Sequence, residues 1–153
     1  MKNLAIETQK TCLFQDNETL DQTYHTTYDA QNDVFYLIEP DDKRLISINA
    51  QDNRILLDDR LQLKNDLARP VGLVFMGLDN EIYIAFDEGF VLQVKQVSSN
   101  QMRYSTMSTF DCGLFCISIS PDHEISVVMT RDYEVIVMDR MFDMIKKVNK
   151  LCR

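Results

Sequence analysis

Asp79-Asn80-Glu81-Ile82-Tyr83-Ile84-Ala85-Phe86 and Asp122-His123-Glu124-Ile125-Ser126-Val127-Val128-Met129 carry one order of turn and strand twice. In each, a polar turn precedes Glu-Ile, and a run of mostly apolar residues follows. The copies stand 43 residues apart (79 to 122). Carried outward without a gap, that offset sets Val71 against Leu114, Ile84 against Val127, Phe86 against Met129, Phe90 against Tyr133, Leu92 against Val135 and Val94 against Val137. Apolar positions stay in phase through two strands and the turn between them. A period near forty residues with four short strands per repeat is the mark of a β-propeller blade, whose repeats run about 40–45 residues.

Strand signals dominate the rest of the chain. Phe90-Val91-Leu92-Gln93-Val94, Ile117-Ser118-Ile119-Ser120 and Val135-Ile136-Val137-Met138 are short and rich in β-branched and aromatic residues. Leu78-Asp79-Asn80, Asp87-Glu88-Gly89, Pro121-Asp122-His123 and Arg131-Asp132-Tyr133 punctuate them as turns. A more divergent copy lies upstream. Val34-Phe35-Tyr36-Leu37-Ile38, Leu45-Ile46-Ser47-Ile48 and Ile55-Leu56-Leu57 read as the second, third and fourth strands of a blade, with Pro40-Asp41-Asp42-Lys43 as a turn. The polar stretch from Glu18 to Asp33 reads as a loop. Only Gln62 to Leu67 has a helical look, and it is too short to stand alone.

The fold class expected is therefore all-β: a partial WD40-like β-propeller of about three blades, each of four antiparallel strands, over residues 30–61, 70–109 and 113–151. A four-stranded twisted sheet has two apolar faces that only neighbouring blades can cover. Propellers close with about four to eight blades. Three leave two apolar flanks, so residues 1–153 are expected to be an N-terminal fragment of a propeller domain, incomplete as a ring. A β-sandwich built from the same strands is the rival; it suits the length and leaves the repeat unexplained.

The bulk properties narrow the function classes. With 153 residues, 45% hydrophobic and 26% charged, the chain can bury one core. Met1-Lys2-Asn3-Leu4-Ala5-Ile6-Glu7 has no apolar core of a secretory signal, and no apolar run is long enough to cross a bilayer. A cytoplasmic location, with the nucleus as a second one, and no membrane partner are expected. Cys12, Cys112, Cys116 and Cys152 have no disulfide-framework spacing and suit a reducing compartment. The net charge is −8. From Arg140 onward the sign reverses, with Arg140, Lys146, Lys147, Lys150 and Arg153 against Asp143. The acidic remainder repels phosphates, so no direct nucleic-acid binding is expected.

No residue set carries covalent chemistry. His25 and His123 are the two histidines, and neither sits near a nucleophile motif. Asp41-Asp42, Asp58-Asp59 and Asp87-Glu88 are paired acids. Neighbours on a strand point to opposite faces, and in turns both face water, so these pairs are not expected to share a substrate as acid and base do. Cys112 and Cys116 lack the second pair a zinc site needs. Gly72, Gly77, Gly89 and Gly113 never form a phosphate-binding run. Met138, Met141 and Met144 are read as core-filling residues. The expectation is no enzyme, no catalytic residue, no cofactor and no metal site.

The last blade carries a recognisable pattern. Gly113-Leu114, then Ile119-Ser120-Pro121-Asp122-His123-Glu124, then Val137-Met138-Asp139-Arg140-Met141-Phe142-Asp143 resembles a blade near the N-terminus of the Elongator complex scaffold-subunit family. The opening Met1-Lys2-Asn3-Leu4 is similar to that family's start. The family's Trp before Ser-Pro-Asp is Ile119 here, and residues 8 to 70 match only in strand rhythm. The resemblance implies the first of two propellers in a scaffold that holds a catalytic subunit and serves modification of the tRNA wobble uridine. It implies other Elongator subunits as partners. The family's tRNA-contacting and dimerising regions lie far downstream of the matching part. The alternative reading is another WD40-like interaction adaptor, of trafficking or nuclear-pore type; a small hydrolytic enzyme using Asp41 or Asp58 is a third.

Overall fold

The computed structural model describes residues 25–63, 67–76, 81–98 and 101–148. They form twelve strands: β1 (His25–Asp29), β2 (Val34–Glu39), β3 (Arg44–Asn49), β4 (Ile55–Arg60), β5 (Pro70–Met76), β6 (Glu81–Phe86), β7 (Phe90–Ser98), β8 (Gln101–Thr109), β9 (Leu114–Ile119), β10 (Ile125–Thr130), β11 (Val135–Asp139) and β12 (Met144–Val148). Each run of four is its own antiparallel meander: β1 to β4, β5 to β8 and β9 to β12. These are three blades. Their first strands lie side by side, β1 against β5 and β5 against β9. The two repeats after Pro70 thus form separate sheets, and the sandwich alternative is excluded.

With four glycines in the chain, the hairpins turn by other means. Asp33, Lys43, Asn53, His123, Tyr133 and Phe142 adopt positive φ between 54° and 65°, one in each of six hairpins, and Gly89 (φ 87°) serves the β6–β7 turn. Side chains at the turn entrances hold the reversal. Asp29 Oδ1 accepts from the Gln31 amide at 2.9 Å, Asn49 Oδ1 from Gln51 at 2.8 Å and Asp139 Oδ1 from Met141 at 2.8 Å. Local acceptors of this kind offset the left-handed backbone's cost.

Packing joins the blades through alternate residues. Tyr36, Ile38 and Leu45 of blade 1 form one core with Ile82, Ile84, Leu92 and Val94 of blade 2. Tyr83, Ala85 and Val91, on blade 2's other side, form a second core with Val128, Ile136 and Met138 of blade 3. Blade 2 is therefore covered on both faces, and Ile82 to Phe86 are buried without interruption. A fully buried Ile or Phe contributes about 1.5–3 kcal/mol. Aromatic pairs span both junctions: Tyr36 on Phe75 at 5.5 Å and Tyr83 on Phe142 at 4.5 Å between ring centroids.

Three sequence expectations need correction. The turn amides of Gly89 and Tyr133 close equivalent hairpins onto Phe86 and Thr130, so the structural period is 44 residues (89 to 133) and not 43. A slip of one residue exchanges the two faces of a strand. Ile84 corresponds to Val128, not Val127, and Leu92 to Ile136, not Val135; all four of these partners are buried. Second, the stretch read as a loop from Glu18 to Asp33 contains strand β1, His25–Asp29. It was hidden because an inner strand of Thr, Tyr and His residues lacks an apolar stripe. Residues 18–24 of that stretch lie outside the described residues. Third, Gln62, Leu63 and Leu67 are in no helix; residues 64–66 lie outside the described ones.

Candidate interaction surfaces

The glycines identify how closely blades 2 and 3 meet. A Cβ on Gly72 would stand 2.9 Å from Ile117 Cγ2 and 3.0 Å from the Ile117 amide nitrogen, so β5 packs against both the side chain and the backbone of β9. A Cβ on Gly113 would collide with the Asp87 carbonyl, and one on Gly89 with the Cys112 carbonyl. At the same end of the blades, charges alternate. Arg69 Nη2 lies 3.0 Å from Asp41 Oδ1, and Arg131 Nη2 lies 3.3 Å from Asp87 Oδ2. The Arg69 amide also donates to Asp87 Oδ1 at 2.8 Å. Each pair crosses between successive blades. Both arginines are more than half exposed, so these pairs set geometry more than stability.

Beside them lies a cleft of about 290 Å³, lined in part by His25, Pro40, Arg69, Pro70, Phe115 and Arg131. Burial depresses the imidazole pKa of His25; a hydrogen bond to the Pro70 backbone opposes this, and the Arg69 charge adds to it. The cleft's cations are matched by Asp41 and Asp87. It gathers no nucleophile, and among the described residues no cluster of His, Cys, Asp and Glu could hold a metal.

The remaining candidates disperse. His123 occupies the β9–β10 turn at φ 62°. Asp58 and Asp59 face apart as strand neighbours do. Asp58 takes a two-pronged ion pair from Arg44 at 2.6 Å, which lowers its pKa, and Asp59 accepts from the Tyr104 hydroxyl at 3.2 Å. Asp41 and Asp87 serve the inter-blade pairs. Cys112 and Cys116 are free thiols, while Cys12 and Cys152 lie outside the described residues. The methionine reading is corrected in part. Met138 fills the core at 1% exposure, but Met141 and Met144 are exposed at 67% and 64%, because they stand at the outermost strand and its turn.

Most of the exposed large apolar side chains belong to blades 1 and 3. Blade 1 shows Tyr28, Phe35, Ile55 and Leu56; blade 3 shows Phe115, Ile125, Tyr133, Met144 and Ile145. Phe115 and Tyr133 stack on each other at 6.4 Å in the open. The two rings form one continuous apolar patch on the surface of blade 3. Reading by strand rhythm missed this stack. Alternation puts Phe115 in phase with the buried Ile117, and the register shift of β9 against Met129 and Thr130, which no sequence signal marks, goes with its exposure.

Three radially packed four-stranded meanders define the class: a WD40-like β-propeller. The solved structures agree on the fold. The Cps50 (Swd1) β-propeller domain of Myceliophteria thermophila superposes with a TM-score of 0.65 at 10% identity, over 82% of this chain and 41% of that one. Dihydro-heme d1 dehydrogenase NirN gives 0.63 at 9%, over 82% of this chain and 27% of that one. The family is fixed by sequence: residues 1–150 match the ELP1 first N-terminal beta-propeller, and the chain belongs to that family. Elongator complex protein 1 of Drosophila melanogaster is 35% identical over 89 residues, 58% of this chain. The matched part is 7% of the fly protein's length.

Proposed function

We propose that this chain is a non-catalytic scaffold element of an Elongator-type assembly, acting in tRNA wobble-uridine modification by helping to hold other Elongator subunits. The observation that carries the reading is the family match over residues 1–150, joined to flanks whose apolar side chains are built for contact. The chemistry then belongs to a partner, and rigid blades present the surface. The dispersal of His25, His123 and the paired acids supports a non-enzymatic role. Its place of action is the cytoplasm, with the nucleus as a second site.

The test is affinity purification of the tagged 153-residue chain from its own cells, with quantitative mass spectrometry of co-purifying proteins. Enrichment of Elongator subunits over a scrambled-sequence control is expected. No enrichment, together with wobble-uridine modification unchanged on deleting the coding sequence, overturns the proposal.

A further inference from the structure

Each blade ends in an outermost strand, β4, β8 or β12, whose far edge pairs with no other strand among the described residues. Blades pack face to face, so that edge lies on the rim, outside the faces a neighbouring blade covers. An edge strand presents a row of unpaired N–H and C=O groups that an extended peptide can join. The three edges differ. β4 buries Leu57 and commits Asp58 and Asp59 to Arg44 and Tyr104. β8 is half-buried at most positions, and its Ser108 hydroxyl is taken by the Phe142 carbonyl. β12 is exposed at all five positions, Met144-Ile145-Lys146-Lys147-Val148. A bulge opposite Val137 and Met138 leaves Ile145 without a partner on β11 and takes it out of the alternation.

We propose that the open edge of β12 is a docking site for an acidic, extended peptide segment of a partner protein, which adds to blade 3 as a fifth strand. Charge selects the occupant. The chain carries −8 overall, yet this edge sets Lys146 and Lys147 side by side. Glu134 holds Lys147 at 2.7 Å, whereas Lys146 makes no ion pair among the described residues. A carboxylate facing Lys146 across the new ladder gains an opposite-charge cross-strand pair, which stabilises a sheet. A second copy offering its own β12 sets lysine against lysine and is repelled. Lysines also guard an edge against unwanted pairing. A guard alone leaves the apolar side chains around it unexplained: Met144, Ile145 and Val148 are exposed on the same strand, and Met141 is exposed in the turn before it. Apolar residues alternating with the acids of the guest strand cover them. The acidic remainder of the surface turns such a guest away from other places. The proposal stands on strand geometry and charge, and it holds or fails apart from the assembly role above.

The experiment is fluorescence anisotropy of the full 153-residue chain with a short labelled peptide in which glutamate alternates with valine, followed by amide hydrogen exchange of the chain with and without that peptide. Saturable binding is expected, with exchange slowed in Met144–Val148 and unchanged in β4 and β8. A peptide with lysine for every glutamate should not bind. One with proline for every valine should not bind either, because it keeps the charge and loses the donors of a strand. Lys146→Glu, at an exposed position, should keep its far-ultraviolet circular dichroism, weaken the glutamate peptide about fivefold and admit the lysine peptide. The proposal is overturned by absence of binding, by equal binding of the proline peptide, by protection centred on another element, by polyuridylate RNA taken in preference to the peptide, or by a folded Lys146→Glu chain that binds the glutamate peptide as before. The exchange map of the unsubstituted chain decides even where the variant does not fold.

Discussion

Gly113 lies directly against the backbone carbonyl of Asp87, with no room between them for a side chain. Gly113 leads into β9, and Asp87 sits in the β6–β7 turn of the preceding blade. The contact is backbone to backbone, so neither partner can swing aside. Gly113→Ala is expected to destabilise the chain by about 2–3 kcal/mol, the upper part of the range for overpacking. Gly72→Ala is expected to cost less, about 1–2 kcal/mol, since its nearest neighbours, Ile117 Cγ2 at 2.9 Å and the Ile117 amide nitrogen at 3.0 Å, need give by only a few tenths of an ångström. Urea denaturation of both variants checks the order. Equal or reversed losses would show that the blade 2–blade 3 junction is not set by this approach.

Ser126 of blade 3 stands where blade 2 has Ile82, in phase with Val128 on the side packed against blade 2. It is 1% exposed, and among the described residues its hydroxyl finds no hydrogen-bond partner. A buried unpaired hydroxyl loses its water without recompense. Ser126→Ala should therefore raise stability by about 1 kcal/mol, read as a higher urea midpoint at unchanged slope. A loss of stability in that variant would mean the hydroxyl is paired after all.

Tyr104 of blade 2 donates to Asp59 of blade 1 at 3.2 Å. Burial, the Asp59 charge and that hydrogen bond push its phenol up to about 12. Tyr83 is pushed up as well, first by burial and then by its hydrogen bond to Glu81. In the unfolded chain both titrate near 10. The folded state therefore holds protons that the unfolded state releases, so stability is complete below pH 10 and falls between pH 10 and 12. Tyr104→Phe should flatten that fall while costing about 1 kcal/mol at neutral pH. Denaturation midpoints at a series of alkaline pH values give the slope; an unchanged slope in the variant would refute the assignment.

The blades were legible in the sequence because their middle strands are apolar and their turns are polar. Ile82–Phe86 and Val135–Met138 announce themselves. The exact phase was not, for a physical reason. Ile125 to Met129 is apolar or small at nearly every position, so a slip of one residue matches almost as many apolar pairs. Only the turn hydrogen bonds of Gly89 and Tyr133 fix the period. Strand β1 was invisible because its inner position tolerates His, Thr and Tyr. The inter-blade ion pairs were invisible too: Asp41 and Arg69, or Asp87 and Arg131, are distant in sequence and meet only when blades stack.

Phe142 turns a motif into mechanics. It belongs to the β11–β12 hairpin of blade 3, yet its ring stacks on Tyr83 of blade 2 at 4.5 Å and is 4% exposed. To reach there it adopts φ 65°, and its carbonyl accepts from Ser108 of blade 2 at 2.9 Å. Asp139 steadies the turn by accepting from the amides of Met141 and Asp143. Phe142 is thus a clasp thrown back onto the previous blade, and Asp143 helps to close the turn that carries it. Phe142→Ala should cost about 3–5 kcal/mol, as for other buried Phe truncations. Phe142→Gly loses the same ring but relieves a left-handed strain of about 1–2 kcal/mol, so it should be the milder of the two. A Gly variant no more stable than the Ala one would show that the turn stores no strain and that the ring alone holds blade 3 to blade 2.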